Sequence, residues 1–176
     1  MAIDAAWVGG HLRDIPDFPE PGITFKDITP LLGHAEALRT VVDAMVEPWT
    51  DLGIDAVAGI EARGFLLAAP IAYQLGAGLV PVRKPGKLPG SVVEQAYDLE
   101  YGSDAVQAHV DAVGPGTRVL VVDDVLATGG TAAATCELLE GLGADVVGVG
   151  VLLELGFLDG RARLVGRDVR SLLVEA

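Results

Sequence analysis

Val119-Leu-Val-Val-Asp-Asp-Val-Leu-Ala-Thr-Gly-Gly-Thr131 decides how this chain folds. Residues 118–122 are almost purely β-branched or Leu and predict a strand buried on both faces. Two carboxylates, Asp123 and Asp124, stand at its end. The short loop Ala127-Thr128-Gly129-Gly130-Thr131 then opens a helix over 130–142, which Gly141 and Gly143 end. A glycine loop at a helix N-terminus presents N–H groups without acceptors and the positive end of the dipole, so it accepts a phosphate. Thr128 and Thr131 add hydroxyl donors. No Gly-Lys-Ser/Thr follows, and the GxGxxG spacing of a dinucleotide site is absent. Adjacent carboxylates would repel a phosphate, so they must face something else. Ribose hydroxyls, which donate hydrogen bonds, or a divalent cation both suit them.

Outward from this run the same alternation continues. Residues 54–60 predict a strand and 64–75 an apolar helix broken by Gly76 and Gly78. Residues 79–82 and 146–153 predict further strands. Apolar strands alternating with helices imply an α/β fold with a mostly parallel sheet flanked by helices. Residues 34–49 form an amphipathic pattern with Leu38, Val41, Val42, Met45, Val46 and Trp49 on one stripe. Two stretches break the alternation. Residues 13–32 hold four prolines, and 83–103 hold Pro85, Gly86, Pro89 and Gly90; both predict ordered or mobile loop.

Length and composition set the outer limits. With 176 residues, 51% of them apolar and few aromatic, the chain suits one domain, 1–176, with a core of Ala, Val and Leu. One cysteine, Cys136, precludes an intramolecular disulfide and points to a reducing, cytoplasmic setting. Met1-Ala-Ile-Asp4 has no basic run, so no signal peptide is expected. A net charge of −13 argues against a nucleic-acid partner. The uncharged stretch 64–82 is long enough for a membrane span. Its prolines, glycines and Gln74 favour a buried helix followed by a strand, so no membrane partner is expected.

Further segments place chemistry at strand ends. In Gly59-Ile-Glu-Ala-Arg-Gly-Phe65, Glu61, Ala62 and Arg63 follow a strand and precede a helix; the Arg63 fork matches phosphate oxygens. Arg83, Lys84 and Lys87 lie within five residues and supply a quarter of the twelve cations, and Lys26 is the one other lysine. A cationic lid for a polyanion, hinged by Pro and Gly, is one reading and a solvated loop the other. In Tyr97-Asp-Leu-Glu-Tyr-Gly102, Glu100 sits between Leu99 and Tyr101, an apolar setting for a carboxylate. His11, His34 and His109 are not spaced as metal ligands, and Cys136 reads as a small buried hydrophobe.

The run 119–131 resembles the phosphoribosyl pyrophosphate (PRPP) signature of type I phosphoribosyltransferases, and other segments are similar to the adenine-using branch of that family. Phe18-Pro-Glu-Pro-Gly-Ile-Thr-Phe-Lys-Asp-Ile-Thr-Pro30 resembles its base-binding segment and Glu61-Ala-Arg-Gly-Phe65 its pyrophosphate loop. Val82-Arg-Lys-Pro-Gly-Lys-Leu-Pro89 with Tyr97–Gly102 is similar to its flexible loop and the strand after it, and residues 152–164, with Gly160-Arg161, to its closing segment.

The resemblance implies a small N-terminal and loop hood on the sheet, a homodimer, and conversion of adenine and PRPP to AMP and pyrophosphate with Mg²⁺. It implies that Glu61, Ala62, Arg63, Arg83, Lys84 and Lys87 meet pyrophosphate. Asp123 and Asp124, near the metal, would meet the ribose, and Ala127, Thr128, Gly129, Gly130 and Thr131 the 5′-phosphate. Thr24, Phe25 and Lys26 would meet adenine, and Glu100 with Arg63 would be catalytic. Lys26 departs from the family's usual Arg. A transferase for another base, and a PRPP-sensing regulator that has lost its chemistry, are the competing readings.

Overall fold

The structure, a computed structural model, describes residues 4–99 and 102–176. The chain divides into two compact units, Met1–Ala44 and Met45–Ala176. In the first, helix α1 (Ala5–Gly9) is capped by Asp4, whose carboxylate accepts the Trp7 N–H at 3.0 Å. Strands β1 (Arg13–Ile15) and β2 (Phe25–Asp27) then pair antiparallel, and α2 (Thr29–Gly33) follows. The stretch 13–32 is therefore not simply loop. Its prolines sit between the two strands and in the first turn of α2, where no backbone N–H is needed. Strands of three residues are too short to show a period.

Helix α3 (Ala35–Val46) starts at His34, whose Nδ1 accepts the Ala37 N–H at 3.2 Å. The predicted helix 34–49 closes as a 3₁₀ turn, Glu47–Trp49, because Pro48 cannot donate to the α-helical ladder.

The second unit is built on a five-stranded parallel sheet in the order β4-β3-β7-β8-β9. The strands are β3 (Ala56–Ile60), β4 (Gly78–Val82), β7 (Arg118–Leu126), β8 (Asp145–Leu155) and β9 (Val169–Glu175). Helix α4 (Gly64–Leu75) joins β3 to β4, and α5 (Gly130–Gly141) joins β7 to β8. Right-handed crossovers to opposite sides of the β3–β7 pair put α4 and α5 on opposite faces. Val57, Ala58, Leu120, Val121 and Val122 have no exposed surface, as befits strands covered on both faces. Close packing needs missing side chains: a methyl on Gly59 would meet Ala68 Cβ at 2.7 Å, and one on Gly148 would meet the Trp49 ring at 2.5 Å. Trp49 is thereby buried against β8, a site where a fully buried large apolar side chain contributes about 1.5–3 kcal/mol.

The stretch 83–103 also differs from the expected loop. Its second half is strand β5 (Val92–Asp98), paired antiparallel with β6 (Ser103–His109). Burial along β5 alternates, but Glu94, Gln95 and Asp98 dilute the apolar signal. Strand β9 was equally hidden, its apolar residues interrupted by Arg170, Ser171 and Glu175.

Candidate active site

In the sheet order β4-β3-β7-β8-β9 the chain leaves β3 in one direction and reaches β7 on the other side. Loops that follow β3 and β7 diverge there, and ligands of open α/β sheets bind in that crevice, beyond the carboxyl ends of the strands. Both sequence motifs fall on it. A concavity at the end of β7 is lined by Asp123, residues 125–132 and Val151.

Asp123 and Asp124 lie inside β7, not at its end as the sequence predicted, because the ladder to β8 runs on through Val125 and Leu126. Asp124 is buried, with Arg63 Nε 2.8 Å from its Oδ2 in an ion pair. That oxygen has no hydrogen-bond partner among the described residues. Asp123 Oδ1 accepts the Asp124 N–H at 2.9 Å. Burial and then the adjacent Asp124 charge push the Asp123 carboxyl well above the usual range. Burial likewise raises Asp124, against the pull of Arg63. Gly64, the first residue of α4, is packed so closely that a methyl there would meet Asp123 Oδ1 at 2.7 Å. The pair is thus held and desolvated, two carboxylates beside the one guanidinium of Arg63, a setting that favours incoming hydroxyl donors or a cation.

Ala127, Thr128 and Gly129 form the turn from β7 into α5. Gly129, at φ +80°, is the N-cap, and no side chain caps the helix. The first-turn N–H groups have no intrahelical acceptor, and Gly130, Thr131 and Ala132 line the concavity. Thr128 is exposed. The sequence-predicted phosphate loop and carboxylate pair are therefore brought together.

The cationic segment is organised differently. Glu61, at the end of β3, has a side chain 7% exposed. It accepts from Arg83 Nε at 3.0 Å, the Lys84 N–H at 2.9 Å and Lys87 Nζ at 2.5 Å. Burial raises its pKa, but the bonds from Lys87, the Lys84 N–H and Arg83 outweigh that and hold the carboxyl low. Lys84 Nζ donates to Tyr97 Oη and Asp104 Oδ2, each at 2.5 Å. The side chain of Glu61 is a counter-ion to the loop. The peptide between Glu61 and Ala62 is cis. Arg63 follows it and reaches Asp124.

Sequence reasoning missed Tyr97 and Asp104. Tyr97 Oη lies 2.9 Å from Thr131 Oγ1 and 3.1 Å from Asp104 Oδ2, so one hydroxyl joins the cationic segment to the phosphate loop. A bulky polar aromatic in the segment 97–102 was the available signal; its partners, Lys84 and Thr131, are 13 and 34 residues away.

Thr24, Phe25 and Lys26 lie in the first unit, where Phe25 meets Phe18 edge-on at 5.2 Å and Lys26 pairs with Asp14 at 2.9 Å. The Thr29 hydroxyl and N–H, with Arg13, hold Asp27 down to about 2. Glu100 lies outside the described residues. Cys136 is buried, and burial lifts its thiol to about 11.

Comparison with known proteins agrees with this geometry. A family model described as Phosphoribosyl transferase domain matches residues 34–168. The adenine phosphoribosyltransferase of Thermobifida fusca is 59% identical, with 92% of each chain covered. The solved adenine phosphoribosyltransferase of Rhodothermus marinus superposes with a TM-score of 0.94 at 50% identity, covering 97% of this chain and 98% of that one. The Saccharomyces cerevisiae enzyme, solved with D-2,5-dideoxy-2,5-imino-altritol 1,6-bisphosphate and adenine, gives 0.90 at 39% identity over 96% of this chain and 98% of that one. The chain belongs to the adenine phosphoribosyltransferase family.

Proposed function

We infer that residues 1–176 act as one transferase domain that forms AMP and pyrophosphate from adenine and PRPP. The observation that carries this reading is the concavity at the end of β7, which joins the Asp123 carboxylate to an uncapped helix N-terminus. The two halves match the two polar features of a ribose 5-phosphate, hydroxyls at one end and an anion at the other.

In the reaction the N9 lone pair of adenine bonds to C1′, the C1′–O bond breaks toward pyrophosphate, and N9 loses its proton. The transition state is oxocarbenium-like. N–H groups of residues 129–132, with the Thr128 and Thr131 hydroxyls, hold the 5′-phosphate and so fix the sugar for attack. Asp123 and Asp124 accept from the ribose hydroxyls. Arg63 and the loop cations Arg83, Lys84 and Lys87 take up charge on the leaving pyrophosphate. Glu100 is the carboxylate that takes the purine proton or stabilises the sugar cation. Thr24, Phe25 and Lys26 meet the base.

The raised pKa values of the adjacent, desolvated carboxylates Asp123 and Asp124 also fit Mg²⁺ brought with PRPP. Asp123 and Asp124 would hold the ion, which would supply positive charge to the leaving group.

Two further readings accompany this one. Leu66 and Tyr73, seven residues apart on α4, are 53% and 87% exposed, which supports a homodimer; light scattering of the active protein should give twice the chain mass. No described helix is long and apolar enough to cross a membrane, which fits a cytoplasmic enzyme.

The deciding experiment is a panel of steady-state rates with PRPP and adenine, hypoxanthine, guanine, xanthine or orotate. Adenine should be preferred in kcat/KM by about a hundredfold or more, because a mismatched exocyclic group leaves buried polar atoms unpaired. Equal turnover of hypoxanthine would sink the adenine assignment.

A further inference from the structure

We propose that Gly160 and Arg161 form a strap behind the phosphate loop, with Arg161, Glu154 and Ser171 as positioning residues for the 5′-phosphate. The proposal rests on the functional reading above and adds residues that touch no substrate.

Behind the loop, backbone meets backbone. A methyl on Gly129 would collide with the Gly160 carbonyl, and one on Gly160 would collide with the Ala127 carbonyl. Both glycines are buried. The two turns are therefore interlocked at a distance no other residue allows. Gly129 also needs its positive φ to turn the chain from β7 into α5, so this contact sets where the first N–H groups of α5 stand.

The strap is itself anchored. Asp159, in the left-handed region at φ +49°, turns the chain into Gly160. Arg161 then forks onto Glu154, Nε to Oε1 at 2.7 Å and Nη2 to Oε2 at 2.8 Å. Its Nη1 donates to the Val169 carbonyl at 2.8 Å, and its Nη2 also to Ser171 Oγ at 3.1 Å. The Ser171 hydroxyl donates to Glu154 Oε2 at 2.5 Å. Glu154, buried on β8, is the register partner of Leu126, the last residue of β7 before the loop. One ion pair thus ties the strap to the strand position from which the phosphate loop springs. A guanidinium fork bound at four acceptors fixes orientation as well as distance. Arg161 carries charge that could have gone to the substrate, yet it is turned to Glu154, Val169 and Ser171.

Binding of ribose 5-phosphate by calorimetry, with the full chain, tests the strap without turnover. Gly160→Ala should weaken binding about tenfold or more, since a misplacement of about 1 Å can cost about a hundredfold. Arg161→Lys, which keeps the charge but cannot fork, should weaken it by about three- to tenfold, and Ser171→Ala by less. In each variant KM for PRPP should rise while KM for adenine stays within about twofold, a split that simple loss of stability does not produce. If Gly160→Ala does not fold, Arg161→Lys and Ser171→Ala decide. Folded variants that bind ribose 5-phosphate as the parent does would overturn the strap and leave the functional reading intact. A parent chain that neither binds ribose 5-phosphate nor uses PRPP would overturn both.

Discussion

Two sets of carboxylates flank the same crevice, and they are in opposite electrostatic states. Asp124 is buried and Asp123 half-buried; the two crowd each other and are raised in pKa, although Arg63 lies 2.8 Å from Asp124. Glu61 and Asp104 overcome burial through bonds from Lys87, Arg83 and Lys84 and are lowered. A carboxylate that the protein has not satisfied is prepared for a ligand, and one that the protein has satisfied is part of the scaffold. Carboxylates around one site therefore do two jobs, and the donors beside each decide which.

The strongest way to break this contrast is to remove the unsatisfied pair. Asp124→Ala and Asp123→Ala should each lower kcat/KM for PRPP by about a hundredfold or more, raising KM and lowering kcat, since each deletes a group aimed at the reacting sugar. Unchanged steady-state kinetics would reduce the pair to a strand ornament. Stability should move the other way. A raised native pKa means that ionising Asp123 costs the folded chain more than the unfolded one. That cost is absent below the unfolded value near 3.8 and grows as pH rises toward the native value. Asp123→Asn should therefore raise Tm at neutral pH, at about 2–4 °C per kcal/mol for a chain of this size. The gain should shrink as the buffer approaches about pH 4, where the parent carboxyl is protonated. A Tm that falls at neutral pH would show that the charge is satisfied after all.

Glu61→Gln should give the mirror image with a smaller effect on activity, about tenfold in kcat/KM, because the loop cations survive but lose their anchor. The lowered pKa of Glu61 gives stability that is present above its unfolded value of 4.5 and is lost as pH falls through the native value. The variant should accordingly be less stable than the parent at neutral pH and differ less in acid. Tryptic cleavage after Lys87 reports on the loop: slow in the parent, faster in Glu61→Gln, and slowed again by PRPP with Mg²⁺. Equal cleavage of parent and variant would mean that Glu61 does not hold the segment.

How far these regions could be read from sequence follows from the range of their contacts. The phosphate loop is contiguous: strand, carboxylates, turn and helix lie within 119–131, and each local rule pointed the same way. Helix α4 was legible to the residue because Gly76 ends it in the left-handed conformation that glycine favours. The cationic segment was legible in composition but not in state. Its partners Glu61 and Asp104 lie 26 residues before Lys87 and 20 after Lys84, and no spacing rule connects them. The hairpin β5–β6 and strand β9 were hidden because their polar residues blur the alternation. The strap at Gly160 depends on two backbones touching, which leaves no trace in sequence beyond two glycines 31 positions apart.

The finest test of the contrast is the residue that bridges the two regions. The Tyr97 hydroxyl receives a hydrogen bond from Lys84, a scaffold partner of Asp104, and lies 2.9 Å from Thr131 of the phosphate loop. The Tyr97 ring also fills the space beside Gly130, where a methyl would meet it at 3.0 Å. Tyr97→Phe keeps that packing and removes the hydroxyl alone, so the expected loss is about one hydrogen bond, roughly 0.5–1.5 kcal/mol. If the hydroxyl couples the regions, KM for PRPP should rise by about two- to tenfold, with stability falling by a similar free energy. Thr131→Val made in the same background should then add less than it does alone, since both changes remove one contact. Strict additivity of the two substitutions would show that the loops act independently and that the link between Tyr97 and Thr131 carries no energy.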